Sequence, residues 1–280
     1  MIKKEPKVSI IMGVFNCEDT LVESIDSLLK QTFQDFNIIM CDDGSTDNTY
    51  IIANQYCERY PDKFILLKNS QNMGLNYTLN VCLEQSTGEY IARMDGDDIS
   101  LPNRLKKQVE FLDKHNEFHI VSSAMIYFDE IGDWGVGKPC EYPQEKNFAK
   151  GTPFAHAPCM VRREAFEAVD GYTIHKRLLR VEDYHLWIKM YSKGFKGYNI
   201  QEPLYKMRDD RQAVKRRDIK SRLNEAYVKI IAIKELNLPI FNIFYAIRPI
   251  ILALTPEVIY RKMHKCKLRV KEDTSRKVDK

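Results

Sequence analysis

The first 117 residues alternate short apolar runs with segments whose apolar residues recur at helical spacing. The apolar runs, which predict buried strands, cover residues 8–15, 36–41, 64–67 and 90–94. The helical segments cover residues 19–31, 47–60, 75–84 and 102–114. Asp19 is the candidate N-cap of the first helix, and Pro102 fits the first turn of the last. This alternation predicts an α/β fold with a mainly parallel sheet covered by helices on both faces.

The pattern is less regular after residue 117. It predicts a strand over residues 119–128, a loop-rich stretch over 131–150, a short apolar piece at 158–161 and a helix over 183–193. From Lys206 the chain is charged, and we predict a helix reaching about Asn237. We therefore divide the chain into one domain with two halves, residues 1–117 and 118–205, and a helical tail over residues 206–280.

Charge is distributed unevenly between this domain and the tail. The whole chain of 280 residues carries 43 Lys and Arg against 39 Asp and Glu, a net charge of +4. Residues 206–280 hold 20 basic and 9 acidic side chains, whereas residues 1–205 hold 23 and 30. An acidic body with a basic tail indicates an anionic substrate or surface near the tail. The basic residues are not interleaved with a recognisable nucleic-acid-binding motif, so no nucleic-acid partner is expected.

Composition narrows the class of protein further. Hydrophobic residues make up 44% and charged residues 29%, which predicts a folded protein with a sizeable core. The seven cysteines are odd in number and form no Cys-x-x-Cys pair, which argues against a disulfide framework or zinc site and for a reducing compartment. No stretch approaches the roughly 18 apolar residues of a spanning helix. We therefore expect a cytoplasmic protein.

Acidic clusters follow two of the predicted strands. Asp42 and Asp43 come after the second strand, and Asp95, Asp97 and Asp98 come after the fourth. Because the carboxyl ends of parallel strands meet at one edge of a sheet, these carboxylates would repel one another unless a cation lay between them. A hard divalent cation with bound phosphates meets that need. Each cluster alone is also a common turn or helix-capping sequence, so the evidence is their order on successive strands.

Other ligand classes find less support in the sequence. There is no Gly-x-Gly-x-x-Gly after the first strand and no Gly-x-x-x-x-Gly-Lys-Ser/Thr, which disfavours a dinucleotide oxidoreductase and a P-loop nucleotidase. The acidic block starting at Asp95 lacks the ligand spacing of an EF-hand. A nucleotidyltransferase lacks the basic glycine-rich loop expected near the first strand.

Four motifs, in this order, resemble those of family 2 glycosyltransferases, which have the GT-A fold. They are the opening strand through Asn16, residues 41–47, residues 95–104 and residues 180–187. The likeness covers about residues 7–205. It is closer still to bacterial exopolysaccharide-cluster enzymes of the EpsE type and there extends into the tail. The resemblance implies a Rossmann-like, mixed and mainly parallel sheet flanked by helices, with a helical basic C-terminal extension.

The resemblance also implies roles for individual residues. Gly13 and Phe15 would line the nucleotide pocket, and Asp43 would bind the uracil of a UDP-sugar donor. Asp95 would lie near the ribose and the donor sugar, and Asp97 would ligate a Mn²⁺ or Mg²⁺ that bridges the diphosphate.

Asp183 would be the general base, which takes the proton of the attacking acceptor hydroxyl. It opens a predicted helix, where the helix dipole favours its ionised form. Glu182 would orient the base or the acceptor. The alternative interpretation, nearly as well supported, is that Glu182 is an exposed glutamate at a helix start without a role in the reaction. His156 would contact a donor phosphate or the acceptor, but a lone histidine in an apolar stretch is more often a core residue.

These observations predict an inverting, metal-dependent hexosyltransferase that moves one sugar from a UDP-sugar to a lipid-linked or growing saccharide in exopolysaccharide biosynthesis. The family's processive members carry a Gln-x-x-Arg-Trp block, and here Gln212 to Arg217 contains no tryptophan, so we predict a non-processive enzyme. The alternative is a binding or regulatory protein that uses the same fold to act on a protein partner, alone or as a second role.

The end of the tail combines apolar and basic residues. Residues 240–260 are apolar and aromatic, and five basic residues follow between Arg261 and Arg269. This combination predicts an interfacial helix on an anionic membrane, which suits a lipid-linked acceptor and a peripheral position at the inner face of the cell membrane. A helix packed on the body with a solvated basic end is an equally good prediction.

Overall fold

The computed structural model describes residues 5–209 and 219–253. Its first half alternates strands and helices as the sequence predicts. The order is β1 (Val8–Val14), α1 (Leu21–Leu29), β2 (Phe36–Asp42), α2 (Thr49–Arg59), β3 (Phe64–Lys68), α3 (Leu75–Glu84), β4 (Tyr90–Arg93), β5 (Ile99–Ser100) and α4 (Arg104–Lys114). The N-cap of α1 is Thr20 and not Asp19. The Thr20 side chain makes no capping hydrogen bond, and its Oγ1 donates to the carbonyl of Gly96, 2.9 Å away.

The second half is less regular, as expected. It contains β6 (Ile120–Asp129), β7 (Gly132–Gly137), β8 (Met160–Arg162), α5 (Arg163–Ala168), α6 (Glu182–Ser192), β9 (Gly197–Arg208), α7 (Ile219–Glu235) and α8 (Ile243–Ala253). Short 3₁₀ turns lie at Glu145–Ala149, Lys176–Leu178 and Ile240–Asn242. The stretch predicted to be loop-rich thus contains one additional strand, β7, which pairs with β6.

All nine strands form one mixed sheet, in the order β3-β2-β1-β4-β8-β6-β9-β5, with β7 beside β6. β1 pairs in parallel with β2 and β4, and β2 pairs in parallel with β3. β8 runs antiparallel to both β4 and β6, whereas β6 and β9 are parallel. The loops that follow β1, β2 and β4 therefore lie at one edge of the sheet, as the strand-end argument requires.

Helices cover both faces of the sheet. Ile10 and Met12 belong to one buried cluster and Ile11 to the other, because successive side chains of a strand point to opposite faces. The first cluster includes Leu21 and Leu105 from α1 and α4. The second includes side chains of α3, α6 and α7. Burial on both faces explains why the first four strands read as continuous apolar runs.

The predicted start of the helical tail at Lys206 is wrong, since residues 206–208 belong to β9. Met125 of β6 lies opposite Tyr205, and Phe128 lies opposite Arg208, in a parallel ladder. Charged residues at the end of a half-exposed strand resemble the start of a charged helix in sequence, and long-range pairing with β6 decides the outcome. The predicted domain limit at residue 205 falls inside this strand.

The described part of the tail is helical. α7 packs on the body, and its Val228 and Ala232 are fully buried in the same cluster as Trp187 of α6. α8 packs on α7, where Lys229 Nζ donates to the carbonyl of Tyr245, 3.3 Å away. Residues 254–280, which include the basic cluster from Arg261 to Arg269, lie outside the described residues.

Candidate active site

The turn after β2 is built around Asp43. Its carboxylate is almost fully buried and accepts three hydrogen bonds, from Asn69 Nδ2 at 2.7 Å and from the backbone N–H groups of Met73 and Gly74 at 2.8 and 2.9 Å. Asp43 therefore fixes the loop between β3 and α3 against the end of β2. Charge-assisted hydrogen bonds of this kind are stronger than neutral ones, so the turn is rigid.

Gly44 is required by this packing. Its φ of 73° lies in the left-handed region, and a Cβ at this position would stand 2.7 Å from the backbone carbon of Gln71. The sequence Asp-Asp-Gly-Ser-Thr-Asp is thus a turn sequence, as its composition indicates, and at the same time places Asp43 at the edge of the sheet. Both interpretations of the motif hold together.

Gly13 and Phe15 lie at the end of the neighbouring strand, β1. Gly13 has a packing reason for its small size, since a Cβ there would meet Leu75 Cδ1 at 3.1 Å and Thr78 Cγ2 at 3.2 Å. Phe15 follows the strand and leaves 45% of its surface exposed, which is unusual for a phenylalanine. An exposed aromatic ring beside the Asp43 turn is available to a planar ligand.

A buried ion pair stands at the end of β4. Arg93 Nη1 and Nη2 bond the two carboxylate oxygens of Asp95 at 2.6 and 2.5 Å, and the arginine side chain is only 7% exposed. Arg93 Nε is buried and has no hydrogen-bond partner among the described residues. Since Arg93 occupies both oxygens of Asp95, this carboxylate is held in one orientation at the rim of the sheet.

Asp95, Asp97 and Asp98 bring three carboxylates together. One oxygen from each lies within 4.8 Å of the others, an all-oxygen donor set of the kind that Mg²⁺ and Mn²⁺ accept. Asp98 is buried, and burial together with the charges of Asp95 and Asp97 raises its pKa well above the ordinary value. The cluster thus has the electrostatic need for a cation that the sequence predicted.

Arg208 fixes this acidic loop from the end of β9. Its backbone N–H donates to Asp98 Oδ1 at 2.7 Å, and its Nε donates to the backbone carbonyl of Asp97 at 2.9 Å. Its Nη2 also contacts Glu23 of α1 at 2.6 Å. Sequence reasoning missed this residue because the strand that carries it was predicted to be a helix.

The first turn of α6 presents Glu182 and Asp183 side by side. Burial, and next the Glu182 carboxylate, raise the pKa of Asp183 to about 7, while the backbone N–H of Tyr184 and the charge of Arg93 act in the opposite direction. Burial also raises the pKa of Glu182, where Arg93 lowers it and Asp95 raises it. The charge of Arg93 thus acts on both carboxylates at the start of α6, and the charge of Asp95 acts on Glu182.

His156 lies in the same region, paired with a tyrosine. Its Nε2 is 2.7 Å from the hydroxyl of Tyr172, and its ring lies edge-on to Trp187. Burial and the charge of Arg93 lower the pKa of His156 well below the ordinary value, so the imidazole is neutral at pH 7. Trp187 is fully buried.

A second buried arginine, Arg104, supports the end of β4. It is fully buried and donates to three backbone carbonyls, those of Arg93 at 2.7 Å, Ala157 at 3.2 Å and Cys159 at 3.3 Å. The Leu101-Pro102-Asn103-Arg104 block was a sequence signal for this residue, although the sequence alone does not assign it this scaffolding role. Arg104 joins β4 to β8 and so positions the Arg93–Asp95 pair.

The arrangement can do specific chemistry. One edge of the sheet presents an oxygen cluster suited to a cation and an exposed aromatic ring beside a rigid turn. The start of α6 presents a carboxylate whose pKa of about 7 suits a general base. The Arg93 guanidinium acts on both regions, since it binds the Asp95 carboxylate and its charge lowers the pKa of Asp183.

Comparison with known proteins shows the family to which the chain belongs. Residues 9–170 match the family "Glycosyl transferase family 2". The chain is 44% identical over 260 residues to the glycosyltransferase EpsE of Bacillus subtilis (strain 168), which covers 93% of this chain and 94% of EpsE. It is 30% identical over 195 residues to the Escherichia coli UDP-Glc:alpha-D-GlcNAc-diphosphoundecaprenol beta-1,3-glucosyltransferase WfaP, covering 69% of this chain and 73% of WfaP.

Among solved structures, the chain is similar to the TarS 1–349 structure from S. aureus in complex with UDP-GlcNAc. The TM-score is 0.65 at 20% sequence identity, covering 89% of this chain and 71% of that one. Against the longer TarS structure, the chain spans 43% of the length. At this identity the likeness is one of fold, and it agrees with the GT-A fold predicted from the motifs.

Proposed function

We propose a specific reaction for this chain, which belongs to glycosyl transferase family 2 and is a glycosyltransferase. It moves one sugar from a UDP-sugar to a lipid-linked or growing saccharide in exopolysaccharide biosynthesis. The observation that carries the proposal is Asp183, a carboxylate with a pKa of about 7 close to the acidic rim of the sheet. A base of this strength is ionised in a large fraction of molecules at neutral pH and still binds a proton well.

The donor would bind at the ends of β1 and β2. The Asp43 carboxylate already accepts three hydrogen bonds, and a carboxylate offers about four acceptor directions. One direction therefore remains for the N–H of a uracil ring. Gly13 and Phe15 would line this nucleotide pocket, and Asp95, fixed by Arg93, would face the ribose and the donor sugar.

A divalent cation fits the neighbouring acidic cluster. Arg93 fixes the orientation of Asp95, and we assign the metal to Asp97 in the same oxygen cluster, with Mn²⁺ or Mg²⁺ as the ion that such a ligand set suits. When bound, the ion would neutralise charge on the diphosphate of the leaving UDP. Arg208 would hold the backbone of Asp97 in place through its 2.9 Å hydrogen bond.

Asp183 would act on the acceptor. As the acceptor hydroxyl attacks the anomeric carbon, its proton passes to the Asp183 carboxylate, the new glycosidic bond forms and the bond to the UDP oxygen breaks. Attack from the face opposite the leaving group inverts the anomeric centre, and one base is sufficient. Glu182 would orient the acceptor. His156 would lie near the donor phosphate as a neutral hydrogen-bonding group, since its pKa is lowered.

We place the enzyme at the inner face of the cell membrane, as a peripheral protein of the cytoplasm. Within residues 5–209 and 219–253, no helix is both long and apolar enough to cross a bilayer. Supporting a peripheral contact, Phe241 and Phe244 at the start of the α8 region are 63% and 72% exposed, and Ile240 is 77% exposed. Such an apolar surface is favourable at a lipid interface and costly in water.

The test is transfer from a panel of radiolabelled UDP-sugars to bacterial lipid extracts that contain diphosphate-linked saccharides, in the presence of Mn²⁺. The wild type should transfer sugar from one donor, and both Asp97→Ala and Asp183→Asn should reduce the rate by roughly a hundredfold or more. Asp19→Asn, an exposed change of the same chemical kind, should leave the rate unchanged. Full activity in Asp183→Asn would contradict the assignment of the base.

A further inference from the structure

A groove outside the donor site lies between the 3₁₀ turn Lys176–Leu178 and the first turns of α7. It has a volume of about 560 Å³ and is lined by Lys176, Arg177, Lys220, Leu223, Asn224 and Tyr227. We call it the cation–apolar groove. Every residue that lines it is cationic, apolar, aromatic or an amide, and none is acidic. This composition is unusual on a body that carries more acidic than basic residues.

The three cations of the groove are available to a ligand. Among residues 5–209 and 219–253, no carboxylate lies within ion-pairing distance of Lys176, Arg177 or Lys220, whereas many other lysines and arginines of the chain have such partners. The Arg177 guanidinium stacks over the ring of Tyr227, 5.2 Å from its centroid, and this contact holds it at the groove wall without neutralising it. Three cations that have no carboxylate partner among the described residues would attract a multiply charged anion.

The groove also has exposed apolar walls. Leu223, on α7, is 52% exposed, and two neighbouring side chains, Leu179 and Ile219, are 43% and 64% exposed. Side chains of this size are usually buried. A ligand that pairs an anionic group with a hydrocarbon chain would satisfy both parts of the groove, whereas a neutral oligosaccharide would satisfy neither.

The groove is joined to the segment that leads to the proposed base. Arg177 lies six residues before Asp183, so the two Cα atoms can be no more than about 20 Å apart. Asn224 Nδ2 of α7 donates to the backbone carbonyl of Leu179, 3.1 Å away, and this bond ties the groove wall to the segment that leads into α6. A ligand seated in the groove would therefore hold its attached group near the start of α6.

We propose that the cation–apolar groove binds the diphosphate and the first isoprenoid units of a lipid-diphosphate-linked acceptor, so that its sugar reaches Asp183. The inference rests on the proposed function and adds to it the site and class of the acceptor. The cations pair with the diphosphate, Leu223 packs on the hydrocarbon, and the relative WfaP has an acceptor of this class in its name. An anionic membrane headgroup shares part of this chemistry, and the test separates the two.

The probe is farnesyl diphosphate, titrated calorimetrically into the protein in EDTA so that no metal supports diphosphate binding at the donor site. The test variant combines Lys176→Gln, Arg177→Gln and Lys220→Gln. The matched control combines Lys193→Gln, Lys196→Gln and Lys234→Gln, three exposed lysines outside the groove. We expect the Kd for farnesyl diphosphate to rise at least about tenfold in the test variant and to stay unchanged in the control.

Three further measurements complete the test. Inorganic pyrophosphate and farnesol should each bind more weakly than farnesyl diphosphate, because each satisfies one part of the groove. Equal binding of farnesyl diphosphate by the test variant and the wild type would overturn the proposal. The proposal would also be overturned, in favour of a membrane contact, if the test variant lost binding to phosphatidylglycerol vesicles and still bound farnesyl diphosphate as the wild type does. Binding of UDP with Mn²⁺, measured separately, tests the donor site alone and should be equal in all three proteins.

Discussion

Asp183 is expected to lower the stability of the folded protein at neutral pH. In the folded state its pKa is raised from an ordinary value of 3.8 to about 7, because burial and the Glu182 carboxylate disfavour the ionised form. The folded state therefore keeps the proton to a higher pH than the unfolded chain does. Consequently the contribution of this group to stability is fully present below pH 4 and is lost as the pH rises through 7.

The size of the effect follows from the shift. A change of about 3 pKa units, at about 1.4 kcal/mol per unit, corresponds to about 4 kcal/mol. Asp183 and Glu182 interact, and the raised pKa belongs partly to the pair, so we expect about 2–4 kcal/mol for a single substitution. Asp183→Asn removes the ionisation and keeps the shape of the side chain. At pH 8 the variant should be more stable than the wild type by this amount, although it transfers no sugar.

Urea unfolding at pH 5 and pH 8 measures this difference directly. The gain in unfolding free energy for Asp183→Asn should be largest at pH 8 and less than half as large at pH 5, because at pH 5 the unfolded chain is already ionised at this residue whereas the folded protein still holds the proton. Asp19→Asn, on an exposed turn, should show no such dependence on pH. Equal effects of Asp183→Asn at the two pH values, or a loss of stability at pH 8, would refute the reasoning about its pKa.

Three further predictions concern the same site. The kcat/KM of the wild type, measured with saturating Mn²⁺, should rise with pH and level off above about 7, because the base must be ionised; a flat profile from pH 5.5 to 8 would contradict the role of Asp183. Arg93→Met should lower the free energy of unfolding by about 3 kcal/mol in a urea titration, since it leaves Asp95 without its buried partner. Gly44→Ala should lower the free energy of unfolding by at least about 2 kcal/mol in the same assay and should weaken UDP binding. The left-handed φ of Gly44 and the 2.7 Å approach to Gln71 both exclude a Cβ. Unchanged stability of this variant would argue that the turn is not rigid.

The sequence was sufficient to predict the first half of the fold. Strands buried on both faces leave continuous apolar runs, and the helices between them have a regular spacing of apolar residues, so both signals are local. The acidic clusters at the strand ends were predictable for the same reason. The order of the strands places Asp43 and the block from Asp95 at one edge of the sheet without any knowledge of side-chain contacts.

The parts that sequence analysis missed depend on long-range contacts. β9 ends in Lys206 and Arg208, and only its pairing with β6 shows that these residues are in a strand. Similarly, the hydrogen bonds of Asp43 come from a loop some 30 positions further along the chain, and those of Arg104 go to carbonyls on two other strands or loops. No local pattern encodes such partners.

Two alternatives were predicted for the end of the tail, contact with a membrane and packing on the body, and α8 lies in the segment concerned. α8 packs on α7, where Lys229 Nζ donates to the carbonyl of Tyr245, and it leaves residues such as Ile247 and Ile251 exposed. Hydrophobic periodicity could not distinguish these outcomes, because one face of α8 packs on α7 and the other does not. The membrane contact stays a prediction.

The central claim is that the acidic edge of the sheet holds a metal-dependent UDP site and that Asp183 acts separately from it. Calorimetric titration of UDP with Mn²⁺ and again with EDTA, for the wild type, Asp97→Ala and Asp183→Asn, tests both parts. We predict binding that requires Mn²⁺, that is lost in Asp97→Ala and that is retained in Asp183→Asn. Binding of UDP that is equal with EDTA, or equal in Asp97→Ala, would contradict the account.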